Sequence, residues 1–134
     1  MRLVLLAAAT SLMATTALAA PAGCPTGLRP ATTAEVFFGE DLADGGQVTE
    51  GDWRAFLASE ISPRFPNGLT VSDVYGQWRG PKGAFVREPS KALFIVFAGA
   101  PEEQRRLDLV RDAYKRQFHQ QSVLLVEQRA CVSF

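Results

Sequence analysis

Apolar residues along this chain recur in two rhythms. Ala34-Glu35-Val36-Phe37-Phe38 is a short apolar run stopped by Gly39 and reads as a first strand. Asp44-Gly45-Gly46 then marks a loop. Thr49-x-x-Asp52 offers a helix N-cap with its reciprocal partner, and Val48 is placed to pack on Trp53. Trp53, Phe56, Leu57 and Ile61 follow at helical spacing until Pro63 ends the run. Leu69 to Trp78 reads as a second strand, Gly80-Pro81-Lys82-Gly83 as a turn, and Ala84 to Phe97 as a third strand. Pro89 marks the first half of that strand as irregular or bulged, whereas Ala92 to Phe97 is apolar on both faces and belongs at a sheet centre. Pro101 suits a helix's first position, and Leu107, Val110, Tyr114 and Phe118 form its buried stripe. A last strand starts near Ser122 and continues to Phe134. The order βαββαβ predicts an α+β, ferredoxin-like fold: an antiparallel four-stranded sheet with two helices on one face.

Two helices cover one face of such a sheet, yet the first, third and fourth strands carry apolar residues on both sides. A large bare apolar face is not tolerated in a soluble monomer, so it must be covered by the N-terminal arm, by a second subunit or by a ligand. A homodimer is therefore one expected partner arrangement.

The first residues set the compartment. Arg2, the apolar run Leu3 to Met13 and the small residues through Ala17-Leu18-Ala19 follow the order of a secretory signal, with cleavage expected after Ala19. Residues 20–33 hold Pro21, Pro25 and Pro30 and read as an extended arm before a single domain over 34–134. Cys24 and Cys131 are the two cysteines, and an even count in an exported chain favours a disulfide. The topology agrees, because the end of the last strand lies beside the start of the first. The alternative is a lipoprotein acylated at Cys24. The expected location is periplasmic or secreted, with no membrane span once the signal is removed.

The whole chain has 14 Lys+Arg against 14 Asp+Glu, and loss of Arg2 leaves the mature form at a formal charge of −1. Basic and acidic residues are interleaved, which argues against nucleic acid as a partner. A single histidine, His119, excludes a multi-histidine metal site within one chain, and dinucleotide, phosphate-loop and nucleophile-elbow patterns are all missing. No metal or cofactor is expected. His119 near Ser122 reads as a polar helix C-terminus rather than as a base beside a hydroxyl.

The densest chemistry lies on the hairpin between the second and third strands: Asp73, Tyr75, Gln77, Trp78, Arg79, Arg87, Glu88, Ser90 and Lys91, with Arg64 just before it. One reading makes Trp78, Arg79, Glu88 and Lys91 a ligand site, with the aromatic ring as a flat apolar contact, the two cations holding an anionic group and Glu88 as orienting partner or acid/base. The other makes Arg79 and Glu88 a cross-strand ion pair and lays Trp78 on the sheet edge.

These blocks also carry a family likeness. Phe37-Phe38-Gly39, Trp53-Arg54-Ala55-Phe56-Leu57, Arg64-Phe65-Pro66-Asn67-Gly68-Leu69-Thr70-Val71, Gly76-Gln77-Trp78-Arg79, Glu88-x-Ser90-Lys91 and Tyr114-Lys115-Arg116-x-Phe118 resemble the bacterial family named Domain of Unknown Function 3574, over about residues 33–134. The resemblance implies a small exported or membrane-attached bacterial protein and brings no catalytic residue with it. The sequence thus points to an exported binding or interaction module. Its rival is a cofactor-independent enzyme of the dimeric α+β barrel type acting on a small anionic molecule.

Overall fold

The computed structural model describes residues 23–80 and 83–134. The expected signal segment, residues 1–19, lies outside the described residues. Six strand and helix elements of regular type follow the expected order, with a short π-helical turn after the first helix: β1 Arg29–Gly39, α1 Glu50–Phe56, a π turn Leu57–Ile61, β2 Thr70–Arg79, β3 Phe85–Phe97, α2 Pro101–Gln117 and β4 Leu124–Val132. The sheet order is β2-β3-β1-β4 and every neighbouring pair is antiparallel. This is the α+β, ferredoxin-like arrangement, with both helices on one face.

Local chemistry accounts for the helix starts. The Thr49 hydroxyl accepts from the Asp52 N–H at 3.1 Å, and the Asp52 carboxylate accepts from the Thr49 N–H at 3.2 Å. Such a reciprocal cap satisfies two of the donors that a helix start leaves free. Pro101 opens α2, and the Glu103 carboxylate accepts from the Ala100 N–H at 2.8 Å. Both helices then bury one stripe. Trp53, Phe56, Leu107, Val110, Tyr114 and Phe118 pack on Ala34, Val36, Phe38, Leu93, Ile95 and Phe97 of the sheet. Phe38, Trp53, Phe56 and Tyr114 sit ring against ring, with Phe38 and Tyr114 centroids 4.8 Å apart.

Two boundaries differ from the sequence reading. The expected arm does not extend to residue 33, because Arg29 to Thr33 already belong to β1, paired to β4 from Arg29↔Val132 onward and to β3 from Thr32↔Phe97. Pro30 is tolerated because it stands beyond Thr32, where β1 has no β3 neighbour. Pro89 likewise makes no bulge: the β2–β3 register runs unbroken from Thr70↔Phe94 to Arg79↔Phe85. Its carbonyl accepts from the Glu40 N–H at 3.0 Å, so its missing N–H faces the same side, just past the end of β1, where no ladder bond is lost.

Cys24 and Cys131 form a disulfide, with Cα atoms 5.5 Å apart and a sequence separation of 107. The bond ties the start of the described chain to the last strand. Among the described residues, no helix is long and apolar enough to cross a membrane.

Candidate functional site

The β2–β3 hairpin distributes its chemistry over two faces. Register and alternation put Trp78, Gly76, Glu88 and Ser90 on the open face, and Asp73, Arg79 and Lys91 on the helix side. The four residues expected to form one ligand site, Trp78, Arg79, Glu88 and Lys91, are therefore not brought together. Arg79 and Glu88 do not pair with each other either. Glu88 stands opposite Gly76, and the Arg79 guanidinium lies 5.5 Å from the centroid of the Phe85 ring, a cation–π contact with its own cross-strand neighbour.

Lys91 is the best-partnered of the four. Its ammonium donates to Glu50 Oε2 at 2.6 Å and to Asp73 Oδ1 at 2.5 Å, with Glu40 Oε1 at 3.8 Å. One buried cation thereby joins β3 to β2, to the first turn of α1 and to the end of β1. The hydrogen bonds to Asp73 and Glu50 hold it charged well above the usual lysine range. The sequence reading missed Glu40 and Glu50 as its partners. Both are glutamates at element ends, which was a signal without an address.

Glu88 occupies a different niche. Its side chain leans over Gly39, and its Oε1 accepts from the Asp41 N–H at 2.9 Å. A Cβ on residue 39 would enter the space of that carboxyl group, so a larger residue there would require the Glu88 carboxyl to move. Gly76 opens a shallow notch beside it, with the Trp78 ring and the Ser90 hydroxyl each 3.7 Å from where a Cβ would stand. Burial raises the Glu88 carboxyl above its ordinary value of 4.5, and the nearby Asp41 and Glu40 carboxylates add to the effect, against the Asp41 N–H bond. Glu40 is raised as well, through burial, with Lys91 opposing. A carboxyl raised in the folded state favours folding fully below pH 4.5 and loses that contribution as pH climbs through the folded value. These two carboxyls should thus lower thermal stability as pH rises above about 4.5, and Glu88→Gln should flatten part of that decline. Parallel melts of both proteins across this range check it; identical slopes would remove Glu88 from the account.

A third feature sits at the opposite end of the sheet. The Arg64–Thr70 segment, the end of β3, the start of β1, the first turns of α2 and Phe134 enclose a cleft of about 760 Å³. Arg29, Arg64 and Arg106 line it along with Glu103. Of these, only Arg64 stood out in the sequence, within its Arg-Phe-Pro-Asn-Gly-Leu-Thr block. Arg29 and Arg106 come from distant elements, and no local pattern links them.

His119 follows the Phe118 cap of α2 with a left-handed backbone, φ 52°, the usual geometry of the residue just past a helix C-cap. Among the described residues no group of three or more His, Cys, Asp or Glu side chains is arranged to hold a metal ion.

Residues 33–134 match the model of the family described as "Protein of unknown function (DUF3574)". The chain belongs to this family. No curated protein matches it. Several solved structures share the fold. A phage SAM lyase in complex with S-methyl-5′-thioadenosine aligns with a TM-score of 0.59 at 16% identity, covering 89% of this chain and 97% of that one. A phage SAM lyase in its apo state gives 0.57 at 17% identity, over 78% and 90%. CutA from Synechococcus elongatus gives 0.51 at 10% identity, over 77% and 80%. At these identities the likeness concerns the fold.

Proposed function

We propose that this member of the DUF3574 family is an exported, periplasmic or secreted, single-domain binding and interaction module that works as a homodimer, two copies packing open face to open face. The composition of that face carries the reading. Across Ala31–Phe37, Thr70–Trp78, Val86–Val96 and Leu124–Ala130, the open-face positions include Phe37, Val74, Trp78, Val96 and Val126, with Phe94 39% and Leu124 59% exposed. Within these spans Glu35 and Glu88 are its charged residues, and Arg29 stands at its margin, at the first position of β1. Depletion of lysine with retained aromatics is the composition of an interface core.

The size is adequate. Four strands about 4.8 Å apart and some nine residues long present roughly 600 Å², close to the ~800 Å² per partner of a standard interface. The arm is a poor competitor for this face. Residues 29–33 are strand, and Cys24 is held at Cys131, which alternates to the helix side. Light scattering on the mature protein tests the reading: wild type at twice the chain mass, Phe94→Lys and Leu124→Lys at one chain mass with unchanged circular dichroism. A wild type that stays at one chain mass up to its solubility limit would refute it.

One observation favours a second reading, a cofactor-independent enzyme of the dimeric α+β barrel type. Glu88 is a buried carboxyl beside an exposed Trp78 ring on the face that dimerisation would enclose. That arrangement supplies an acid/base and an aromatic platform. Arg79 and Lys91, on the helix side, would act on the hairpin's geometry in this case. S-methyl-5′-thioadenosine, bound in the phage lyase of the same fold, is a suitable first probe for the patch. A thermal shift lost in Trp78→Ala would support the enzyme reading, and no shift in wild type would count against it.

A further inference from the structure

The cleft at the far end of the sheet borders the open face, sharing Phe94 and Val96 with it, and the rest of its lining has a definite chemical character. Phe65, Leu69, Ile95 and Phe97 form apolar walls, and Phe134, 94% exposed, stands at the mouth. Three guanidiniums stand among them against one carboxylate, and that carboxylate is already engaged: Glu103 accepts from the Ala98 N–H at 3.4 Å and the Ala100 N–H at 2.8 Å. It serves the start of α2.

The arginines differ in how they are held. Arg64 donates to the Glu60 carbonyl and meets the Glu60 carboxylate at 3.0 Å, which fixes its position one turn behind the loop. Arg106 donates to the Arg64 carbonyl at 3.3 Å, which fixes α2 against the same loop. Arg29 makes no hydrogen bond or ion pair among the described residues, and it stands at the start of β1 on the cleft's rim. Two braced guanidiniums and one free one, over an aromatic floor, give a positive rim on an apolar cavity of a size typical for small-molecule sites. Planar guanidiniums present paired donors that match the oxygens of a carboxylate or phosphate.

We propose that this cleft binds a small amphipathic anion, an aliphatic or aromatic body seated on Phe65 and Phe97 with one oxyanion head held by Arg29 and Arg106. The Arg64–Thr70 segment, which resembled the family's pattern in sequence, then has a role in shaping the cleft wall. Glu60 already faces Arg64 and Glu102 stands 3.9 Å from Arg106, so a neutral ligand would leave Arg29 without a counter-charge, and a strongly polar one would leave the apolar walls exposed.

Titration calorimetry on the mature, oxidised protein tests this with decanoate, decyl phosphate and uncharged decanamide. The expected result is saturable binding of at least one anion, about tenfold or more tighter than the amide, as one charge-assisted hydrogen bond supplies. Whichever anion binds tighter identifies the head group. Arg29→Gln should weaken binding by about tenfold with an unchanged melting temperature, since its side chain holds nothing else in place. Arg106→Gln should weaken it too, and its melting curve reports any separate loosening of the loop. Amide chemical-shift changes should centre on Leu69 and Phe97. Equal affinity for decanoate and decanamide, no binding of any of the three, or shift changes centred on Phe37 and Leu124 instead would each overturn the proposal.

Discussion

Reduction of the Cys24–Cys131 disulfide should lower the unfolding free energy by about 3–5 kcal/mol, the largest single effect expected in this protein. The bond closes a loop with a separation of 107 residues. In the chain-entropy account, cross-linking a loop of ~100 residues removes about 4.7 kcal/mol worth of freedom from the unfolded chain. The folded state gives the bond little to resist, because β1 and β4 already pair from Arg29↔Val132 and bring the two cysteines together. Urea titrations with and without reductant, and of Cys24→Ser/Cys131→Ser, measure the effect. A loss below about 1 kcal/mol would mean that the β1–β4 ladder alone restrains the ends in both states.

Lys91→Met should cost about 2–3 kcal/mol, read as a lowered urea midpoint. The side chain is 8% exposed, and its ammonium bridges Asp73, Glu50 and Glu40. Removing one partner of a buried ion pair commonly costs about 3–5 kcal/mol. Here the loss is smaller, because the side chains of Asp73 and Glu50 are 84% and 60% exposed and recover hydration. The Glu40 side chain, at 13%, does not. Glu40→Gln in the Lys91→Met background should therefore restore part of the loss, whereas Asp73→Asn should restore little. Equal rescue by the two would show that Glu40 is not the stranded charge.

What could be read from the sequence was what neighbours in the chain decide. The Thr49/Asp52 cap, the Leu107-Val110-Tyr114-Phe118 stripe and the two-faced apolar run of β3 all depend on residues a few positions apart, and all stand as expected. Pro89 misled because the rule against proline in strands concerns a missing N–H, and that N–H points past the end of β1. Pro30 reads as arm in the sequence because the β4 pairing on either side of it comes from the far end of the chain. Site chemistry was legible as residue types but not as a constellation. Alternation alone separates Trp78 and Glu88 from Arg79 and Lys91, since even and odd positions of a regular hairpin face opposite ways. The expected bulge at Pro89 hid that consequence. The cleft collects Arg29, Arg64 and Arg106 from a strand start, a loop and a helix, a juxtaposition that only the folded chain creates.

Native mass spectrometry of the mature protein, purified from an oxidising compartment and sprayed over a concentration series, is the most direct test of the dimeric module. The account predicts a species at twice the chain mass that dissociates in Phe94→Lys and Leu124→Lys, each subunit retaining its disulfide. A single-chain mass at every concentration, with wild type and both variants indistinguishable, would contradict it.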